Sequence, residues 1–279
     1  AVATGMFHTV VLQEDGTVWT WGDNLSGQLG TGNTTGRKVP GQVAGLTEVI
    51  AIAASGNSSY ALKSDGTVWA WGSNNYGQLG DGTQQQRNSP VRLNSISGVV
   101  GIEAGPMSAY ALKGDGTVWA WGNNGNGQLG DGTNTTRVSP VKVENLADVT
   151  VISAGYTHAL ALKSDGSVWA WGNTGVAGGS FQRPTEMSNL SDVISISAGA
   201  YSSLVLKSDG TVWAWGVNTN GQLGDGTTTI RNTPIQVPGL TDIRYVVANL
   251  NGGSSLGYSV AVKQDGTIWG WGSNNYGQL

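Results

Sequence analysis

Apolar and polar residues alternate over short stretches along the whole chain. Residues 159–163 (A-L-A-L-K) and 168–171 (V-W-A-W) are two such stretches, separated by four residues. Alternation with a period of two is typical of a strand that buries one face. No segment keeps an apolar period of 3.6 residues, and Gly is too frequent for long helices. The pattern therefore predicts an all-β fold, in which these two stretches are called strands B and C.

An Asp-Gly pair, Asp165-Gly166, lies between strands B and C. Asp-Gly between alternating stretches is typical of a two-residue hairpin loop with a type I′ turn, which needs positive φ at both positions. Two further stretches complete the unit. Residues 149–154 (V-T-V-I-S-A) predict a strand A before strand B, and residues 140–143 (P-V-K-V) predict a strand D that follows strand C of the preceding unit. The leading Pro suits the first residue of a strand.

The unit recurs along the chain, and its period predicts the architecture. The Asp-Gly pair occurs at Asp15-Gly16, Asp65-Gly66, Asp115-Gly116, Asp165-Gly166, Asp209-Gly210 and Asp265-Gly266. Successive pairs are 50, 50, 50, 44 and 56 residues apart, and a period near 50 indicates a propeller, a solenoid or an array. Four short antiparallel strands per repeat favour a β-propeller blade. We therefore predict one β-propeller domain over residues 1–279. Its repeats cover approximately residues 1–48, 49–98, 99–148, 149–192, 193–242 and 243–279, the last being incomplete.

Every Trp of the chain belongs to a W-x-W pair on strand C. The pairs are Trp19/Trp21, Trp69/Trp71, Trp119/Trp121, Trp169/Trp171, Trp213/Trp215 and Trp269/Trp271. A spacing of two on a strand places both rings on one face. An aromatic ligand platform or a light-absorbing cluster would use such rings, but a feature present in every repeat serves the scaffold. We therefore interpret the pairs as structural, packing one blade on the next.

The loop after strand C also repeats, and residues 74–82 (N-N-Y-G-Q-L-G-D-G) give its full form. It is rich in Gly, like a phosphate-binding loop, but no helix and no Lys-Ser/Thr pair follow it. We interpret it as an ordered turn. The pattern W-x-W-G-x-N-x-x-G-Q-L-G-x-G-T…P-V, preceded by A-G-x-x-H-x-L-A-L, resembles the RCC1 (regulator of chromosome condensation) repeat over essentially the whole chain.

The resemblance to RCC1 repeats implies a β-propeller, usually of seven blades. Its members include a nuclear exchange factor for a small GTPase, a plant UV-B receptor and secreted bacterial proteins, one of which inhibits a β-lactamase. The short, regular repeats of this chain resemble the bacterial branch. We expect six blades from this chain, with strands A and B of repeat 1 and strand C of repeat 6 in one blade. The alternative is seven blades, with one repeat outside this sequence.

Composition excludes several classes of function. The net charge is −4 and the pI is near 5.1, which argues against a nucleic-acid partner because such a partner requires a basic surface. The chain has no Cys, hence no disulfide and no thiol nucleophile. No apolar run is long enough to span a membrane, and no catalytic set stands out from the repeat pattern. We expect a secreted or surface bacterial protein that is not an enzyme and has no metal or cofactor; the oligomeric state stays open.

Most basic residues also follow the repeat. One Arg precedes each predicted strand D, at Arg37, Arg87, Arg137, Arg183 and Arg231. A ring of Arg residues could bind anions, but we interpret them as partners of local carbonyl groups or of the Asp in the Gly-Asp-Gly turn. His8 and His158 occupy equivalent positions in two non-adjacent repeats. We expect each to order its own A–B turn by a hydrogen bond rather than to bind a metal.

Specificity is expected where repeats differ, on loops held by a rigid scaffold. Because strands alternate in direction, the A–B and C–D loops share one face. Repeat 4 has lost the core of its C–D loop over residues 173–183, and repeat 6 has gained residues within 249–257. We predict a recess there, with Tyr156 at its rim. The predicted partner-binding residues are Phe7, Met107, Tyr156, Phe181, Tyr201, Leu256 and Tyr258, of which Phe181, Tyr201, Leu256 and Tyr258 would line the recess.

The sequence analysis thus predicts a propeller that binds a macromolecule, expected to be a protein, through the A–B/C–D loop face. Two alternatives belong to the same fold: a structural or adhesive module of a larger surface protein, and an inhibitor of an extracellular enzyme such as a β-lactamase. A third alternative is a small-ligand binder or an enzyme that uses the central funnel.

Overall fold

The computed structural model describes residues 1–175, 180–250 and 257–279, and in these residues all regular structure is β. The strands form six antiparallel sheets, five of four strands and one of three. The chain divides into two compact units. Unit 1 comprises Ala1–Gly125 and Thr135–Val143, and unit 2 comprises Asn126–Asn134 and Glu144–Leu279.

Unit 1 contains the sheets of repeats 1 to 3. Their strands are β1 Val2–Thr4, β2 His8–Leu12, β3 Val18–Gly22 and β4 Arg37–Gln42 in repeat 1; β5 Val49–Ser55, β6 Ser58–Lys63, β7 Val68–Gly72 and β8 Arg87–Arg92 in repeat 2; and β9 Val99–Ala104, β10 Ser108–Lys113, β11 Val118–Gly122 and β12 Arg137–Lys142 in repeat 3. Each set of four is a meander in chain order.

Unit 2 contains the sheets of repeats 4 to 6, the last with three strands. Their strands are β13 Val149–Ala154, β14 His158–Lys163, β15 Val168–Gly172 and β16 Phe181–Glu186 in repeat 4; β17 Val193–Ala198, β18 Ser202–Lys207, β19 Val212–Gly216 and β20 Arg231–Gln236 in repeat 5; and β21 Ile243–Ala248, β22 Tyr258–Lys263 and β23 Ile268–Gly272 in repeat 6. Strand A of repeats 2 to 6 begins at the predicted repeat boundary.

Strands A, B and C are confirmed, but the predicted start of strand D is wrong. In repeat 3 strand D begins at Arg137, three residues before Pro140. Arg137 pairs with Gly122 and Val141 pairs with Ala120, so the ladder shifts register between them. Pro140 lies in this irregular stretch of an edge strand, where its missing N–H interrupts no ladder.

The hairpin between strands B and C is confirmed, but its predicted turn type is wrong. Gly66 has a φ of 76°, whereas Asp65 is not among the residues with positive φ. The Gly66 N–H donates to the Lys63 carbonyl at 2.9 Å, and the Lys63 N–H donates to the Thr67 carbonyl at 2.9 Å. This is a three-residue loop, a type I turn followed by a left-handed Gly. The Asp65 side chain accepts bonds from the N–H and hydroxyl of Thr67 at 3.0 and 2.6 Å, which favours a negative φ at Asp65.

The expected blade that joins strands of repeats 1 and 6 is wrong. Strands β1 and β2 pair with β3 and β4 of their own repeat, and β23 pairs with β22. The A–B and B–C connections are short, so the local hairpins form within one repeat, and pairing between distant segments would have to break them.

The core of each unit lies between adjacent sheets. In unit 1 one cluster combines Tyr60 and Leu62 of strand B, Leu79 of the C–D loop, and Trp121 of the following repeat, all fully buried. Strand B is buried along nearly its whole length, whereas strand D of the same repeat is half-buried or exposed at every position. Each buried large apolar side chain contributes roughly 1.5–3 kcal/mol, so the central strands hold each sheet in place. Over the described residues, no helix has the length and apolar character needed to cross a membrane.

Candidate binding loops

The A–B and C–D loops of one repeat are tied together by their backbones. The first residue after strand C donates its N–H to the carbonyl of the residue that precedes strand B, at 2.8–2.9 Å. These bonds join Asp23 to Phe7, Ser73 to Asn57, Asn123 to Met107, Asn173 to Thr157, Val217 to Tyr201 and Ser273 to Gly257. Because only main-chain atoms take part, the side chains at these positions can vary without loss of the bond. The loop face is therefore a fixed backbone that carries variable side chains.

The C–D loop is ordered by one buried Asn, which confirms the interpretation as an ordered turn. In repeat 2 the Asn74 Oδ1 accepts the Leu79 N–H at 2.9 Å. The Asn74 Nδ2 donates to the carbonyls of Thr83 and Gln85 at 3.1 and 3.0 Å. A single side chain thus closes the loop at three places and holds Leu79 in the core.

The arginines at the start of strand D make local bonds, as expected. Arg87 Nε donates to Asp81 Oδ2 at 2.6 Å, and Asp81 also accepts the Thr83 hydroxyl at 2.7 Å. Burial alone would raise the pKa of Asp81, but the bonds from Thr83 and Arg87 outweigh it and hold the pKa below its ordinary value. In repeat 1, which has no Asp at this position, Arg37 Nε donates to the Thr20 carbonyl at 2.9 Å.

Arg183 does not belong to this series, so its assignment from the sequence is wrong. Strand D of repeat 4 pairs Phe181 with Gly172, the position at which the other repeats place the Arg. Arg183 lies two residues farther along and donates to Glu144 at 2.7 Å. The C–D loop of repeat 4 is shorter, so equivalent positions there follow the strand register and not the residue type. Phe181 is 38% exposed and lines a shallow groove with Ser180 and residues 182, 183 and 185.

The two Trp residues of each pair have different environments. The second is fully buried in four pairs, at Trp71, Trp121, Trp171 and Trp215. The first is half-buried in most pairs, and Trp269 is 49% exposed. Lysines at the end of strand B cover three of these half-buried rings, with each Nζ 5.3–5.5 Å from the ring centroid. The second Trp is thus a core residue in the four pairs in which it is fully buried. The first Trp lies at the margin of the core, and in three pairs the Lys at the end of strand B covers its ring.

The second Trp also bonds the preceding repeat. Its indole Nε1 donates to the carbonyl of the Gln in the preceding Gly-Gln-Leu-Gly turn. The pairs are Trp71 with Gln28 at 2.9 Å, Trp121 with Gln78 at 2.7 Å, Trp171 with Gln128 at 2.7 Å and Trp271 with Gln222 at 2.9 Å. Each bond joins residues of the same unit. The Gly-Gln-Leu-Gly turn therefore supplies both a core Leu and a buried acceptor to the next repeat.

Trp21 departs from this pattern in its exposure, and its assignment as a residue that packs one blade on the next stays a prediction. Trp21 is the second Trp of its pair, but it is only half-buried. It lies outside the core cluster between repeats 1 and 2, which contains Val10, Val18 and Trp71.

The two histidines bond across repeats, not within their own turns as expected. His8 Nε2 lies 2.8 Å from Ser59 Oγ, and His158 Nε2 lies 3.0 Å from Ser203 Oγ. Burial lowers the pKa of each imidazole to about 4; a smaller attraction from Asp23 opposes this shift at His8. Both histidines are therefore neutral at pH 7. Among the described residues, no group of three or more His, Asp or Glu side chains has an arrangement that could hold a metal ion.

The predicted partner-binding residues of unit 1 differ in exposure. Phe7 is 64% exposed, and its neighbour Met6 is 54% exposed. Met107 is half-buried. The Met6 N–H donates to the Gly56 carbonyl at 2.8 Å, so the A–B loop of repeat 1 is attached to that of repeat 2.

In unit 2 the predicted residues form one aromatic pair. The rings of Tyr156 and Tyr201, from the A–B loops of repeats 4 and 5, have centroids 5.9 Å apart and planes inclined by 33°. Both side chains are half-buried, as is Tyr258. The groove that Phe181 lines includes neither Tyr201 nor Tyr258, and the predicted recess stays a prediction. Leu256 lies outside the described residues.

Comparison with protein families identifies the fold. The sequence profile of the RCC1-like domain matches residues 1–178. Profiles of the regulator of chromosome condensation (RCC1) repeat match residues 193–222 and 254–278, and residues 209–249. The chain belongs to the RCC1-like domain family. The all-β propeller predicted from the repeats is thereby confirmed.

Curated relatives match this RCC1-like chain over short stretches. A stretch of 46 residues is 54% identical to the human E3 ubiquitin-protein ligase HERC2 and covers 16% of this chain and 1% of that protein. A stretch of 62 residues is 37% identical to the mitochondrial RCC1 domain-containing protein RUG3 of Arabidopsis thaliana and covers 22% of this chain and 14% of that protein. The chain therefore matches only a small part of the length of these relatives.

Solved structures match the RCC1-like chain over nearly its whole length. Yeast RCC1 (Prp20), crystallised with Kap60, is 27% identical with a TM-score of 0.82, over 98% of this chain and 70% of that one. Human WBSCR16 is 23% identical with a TM-score of 0.83, over 98% of this chain and 76% of that one. At 23% identity, the similarity to human WBSCR16 concerns the fold alone.

One site in the RCC1-like scaffold was missed from the sequence, at the contact between repeats 4 and 5. Trp215 is fully buried, but no acceptor for its Nε1 lies within hydrogen-bond distance among the described residues. The preceding C–D loop is the one that lacks Gly-Gln-Leu-Gly. The loss of this motif was visible, but without the bond between Trp and Gln its effect on Trp215 could not be inferred.

Proposed function

We propose that this protein is a non-enzymatic binding module that recognises a protein partner with the side chains of its A–B loops, centred on Tyr156 and Tyr201. The observation that carries this proposal is the pairing of these two rings, 5.9 Å apart on adjacent loops whose backbones are fixed. Tyr is enriched in the cores of protein interfaces because it offers a large apolar area and a hydroxyl at low cost in conformational entropy.

The uses of related propellers support a protein partner. Yeast RCC1 binds Kap60 in its crystal structure. Prp20p, which is 27% identical to this chain, has had its binding to Gsp1p and to histones characterised. The RCC1-like fold is a common scaffold for protein binding, and loops on rigid scaffolds are where binding residues concentrate.

We further propose that the protein acts outside the cell or at the surface of a bacterium. The cysteine-free, weakly acidic composition and the short regular repeats support this placement. Inhibition of an extracellular enzyme such as a β-lactamase would be one form of such binding. A structural or adhesive module would also have the same scaffold, and the test below separates it from a binder.

The test uses two double variants in different units. Tyr156→Ala/Tyr201→Ala removes the aromatic pair, and Met6→Ala/Phe7→Ala removes exposed apolar side chains of unit 1. The partner is first captured from native material by the unmodified protein and identified, and its affinity for each variant is then measured by calorimetry. An interface anchor costs about 2 kcal/mol or more on truncation, so we expect the Tyr variant to bind at least about 30-fold more weakly. Its unfolding midpoint should stay close to that of the unmodified protein.

Two outcomes would contradict the proposal. Equal affinity of the Tyr variant, with loss of binding by the Met6/Phe7 variant, would place the interface in unit 1. Absence of any saturable partner would favour the structural module. A loss of binding that coincides with unfolding of the Tyr variant, detected by circular dichroism, is resolved with Tyr156→Phe/Tyr201→Phe, which keeps the rings and should restore most of the affinity if the apolar area is what anchors the partner.

A further inference from the structure

Arg37 in repeat 1 is a cation without a carboxylate partner. In repeat 2 the Arg at the start of strand D pairs with the Asp of the C–D loop, with Arg87 Nε 2.6 Å from Asp81 Oδ2, and the equivalent distance in repeat 5 is 2.7 Å. Repeat 1 keeps the Arg but has Thr31 at the position of the Asp. Among the described residues, no Asp or Glu side chain forms an ion pair with Arg37. Repeat 1 therefore carries a cation that no described carboxylate neutralises.

Neutral groups hold the Arg37 guanidinium in place. Arg37 Nε donates to the Thr20 carbonyl at 2.9 Å, and Nη2 donates to the Thr20 hydroxyl at 2.9 Å and to the Gly41 carbonyl. The remaining nitrogen, Nη1, carries two N–H groups, and neither has an acceptor among the described residues. A guanidinium that is already fixed loses little side-chain entropy when an anion binds to it, which favours binding.

Strands C and D of repeat 1 are adapted to this position of Arg37. Thr20 pairs with Gly41 across the two strands, where repeat 2 pairs Ala70 with Val91. Thr20 supplies the hydroxyl acceptor. Gly41 supplies the space, because a Cβ there would lie 2.5 Å from Arg37 Cζ. The differences at Thr20 and Gly41 therefore both serve the same placement of the guanidinium.

An open cavity of about 320 Å³ is lined in part by Arg37. Its walls also include Thr31 and Gly32 of the C–D loop in repeat 1, and Ser89 and Pro90 of strand D in repeat 2. The Ser89 hydroxyl oxygen lies 3.6 Å from the position of a Cβ at Gly32, so it is close to the C–D loop. One water molecule takes up about 30 Å³ in the liquid, so the cavity has room for a carboxylate group and the first carbons attached to it. Its lining residues include one cation and no anion.

The chain itself shows which anion this Arg position accepts. In repeat 2 the Asp81 carboxylate accepts a bond from Arg87 and another from the Thr83 hydroxyl at 2.7 Å. Repeat 1 offers the same two kinds of donor, a guanidinium from Arg37 and a hydroxyl from Ser89. Partial burial lowers the pKa of Arg37, because desolvation disfavours the charged form, and a bound anion would offset that cost. A monoanion matches the single guanidinium, whereas a dianion would add excess negative charge to a chain whose net charge is −4.

We propose that the cavity beside Arg37 is a binding site for a carboxylate group. The carboxylate accepts bonds from Arg37 Nη1 and from the Ser89 hydroxyl, and so does for Arg37 what Asp81 does for Arg87 in repeat 2. Its source is either a small free carboxylate or the Asp or Glu side chain of another protein, and the tests separate the two. The inference goes beyond the proposed function and does not depend on it, because every residue that lines this cavity belongs to unit 1.

The first test replaces sodium chloride with sodium acetate at constant ionic strength. The Nε–H signal of Arg37 in the NMR spectrum, assigned by its absence from Arg37→Gln, should shift saturably, with a Kd of the order of 1–10 mM. Arg87 is the internal control, because its Nε already bonds Asp81, and its signal should not shift. A shift at Arg37 that does not saturate, an equal shift at Arg87, or an equal response to sodium sulfate would overturn the inference.

The second test fills the site from within the chain. Thr31→Asp gives repeat 1 the carboxylate that repeats 2 and 5 have at this position. We expect the acetate-dependent shift of the Arg37 signal to be lost and the unfolding temperature to rise by about 2–4 °C. Thr31→Asn is the matched control, since it has nearly the same shape as the Asp variant without the charge, and it should still bind acetate. Acetate binding by Thr31→Asp as tight as by the unmodified protein would contradict the inference.

A capped tripeptide separates the two sources of the carboxylate. Acetyl-Gly-Glu-Gly-amide carries one side-chain carboxylate, and acetyl-Gly-Gln-Gly-amide is its neutral control. Saturable binding of the Glu peptide but not of the Gln peptide, read at the Arg37 signal, would identify a protein side chain as the ligand. Binding of acetate without binding of the Glu peptide would identify a small free carboxylate. Binding of no probe, or equal binding of the two peptides, would refute the site and would leave the proposed function untouched, because no probe is the captured partner.

Discussion

At the scale of single residues, two Trp residues that look equivalent in sequence have different roles. Both members of a W-x-W pair point to one face of strand C and in repeat 2 both pack on the core cluster shared with repeat 1, but only the second bonds the Gln carbonyl of that repeat. Trp71 is fully buried with a satisfied Nε1. Trp69 is half-buried, and its Nε1 has no acceptor among the residues that the structure describes. The sequence period alone does not distinguish these environments, because both positions face the same side.

We therefore expect unequal costs from matched substitutions. Trp71→Ala should lower the free energy of unfolding by about 3–5 kcal/mol, since it leaves a large cavity. Trp69→Ala should cost clearly less, because part of its ring is already in water. Trp21→Ala should also cost less than Trp71→Ala, since Trp21 is half-buried. Equilibrium denaturation in urea measures all three. An equal loss at Trp69 and Trp71 would mean that the first Trp is as much a core residue as the second.

The buried histidines make stability depend on pH. The pKa of His8 and of His158 is about 4 in the folded chain, against an ordinary value of 6.5. Above about pH 6.5 both histidines are mostly neutral in the folded and in the unfolded chain, so they do not reduce the free energy of unfolding. As the pH falls from about 6.5 towards 4, the unfolded chain takes up protons that the folded chain refuses, so stability decreases. Below about pH 4 these groups cause no further loss.

The natural control for this prediction is Ser, which stands at the equivalent position in repeats 2, 3 and 5. His8→Ser/His158→Ser should remove most of the pH dependence between about 6.5 and 4, of the order of 2–3 kcal/mol per histidine. The loss below about pH 4 should persist, because it belongs to carboxylates such as Asp225, whose pKa is lowered to about 2. Urea unfolding at a series of pH values measures the free energy of unfolding in both pH ranges. If this free energy fell as steeply between about pH 6.5 and 4 in the double variant as in the unmodified protein, the histidines would not be its cause.

At the scale of secondary structure, the B–C hairpin was predicted correctly although its turn type was not. Asp-Gly marks the hairpin, but the turn uses three residues and needs positive φ only at the Gly. The Asp instead bonds the residue two positions later, and this bond lowers the pKa of Asp65, mainly through the Thr67 hydroxyl. Gly is required at this position, whereas Asp is chosen for its side-chain acceptor.

Gly66→Val should destabilise the protein by about 1–2 kcal/mol or more, because a β-branched residue resists a φ of 76°. Backbone atoms of Gly98 and Val99 lie 3.3 Å from the position of a Cβ at Gly66. Gly266 has a φ of 86° and nothing within 4 Å of such a Cβ, so Gly266→Val separates strain from crowding. Thermal unfolding of Gly266→Val measures the cost of the backbone strain, and the additional loss in Gly66→Val measures the cost of the crowding. A Gly66→Val protein as stable as the unmodified chain would contradict the turn geometry.

At the scale of the whole molecule, charge sets which partners are favourable. The chain has a net charge of −4 and a pI near 5.1. A polyanion would have to approach a molecule of like sign, without the release of counterions that drives such binding. We therefore expect that the protein does not measurably retard duplex DNA on a native gel at physiological salt and neutral pH. Salt-sensitive binding in the micromolar range would show a basic surface that net charge does not reveal.

The sequence by itself determined the fold class and three of the four strands of each repeat. These follow from local physical rules: alternation specifies a strand, Asp-Gly specifies a hairpin, and six copies of one unit average out the ambiguity of any single copy. The positions of the candidate loops follow in the same way, because strand alternation assigns each loop to one end of its sheet. Tyr156 and Tyr201 could thus be nominated without coordinates.

Only the tertiary structure decided which side chains meet. The bond from Trp71 to Gln28, the pairing of His8 with Ser59 and the contact between Tyr156 and Tyr201 all join neighbouring repeats, and each depends on angles and distances between sheets that no local pattern encodes. Strand register likewise placed Phe181, and not Arg183, at the start of strand D in repeat 4.

The second Trp of each pair shows the same limit most clearly. Trp21, Trp71 and Trp215 are the same residue type at the same place in the repeat, and the repeat pattern predicts one role for all of them. Trp71 is buried and bonded, Trp21 is half-buried, and Trp215 is buried without an acceptor among the described residues. Where the ring is buried and bonded, as at Trp121, the turn of the preceding repeat supplies both the apolar contact with Leu79 and the carbonyl oxygen of Gln78, and only the packing of one sheet on the next brings these groups together.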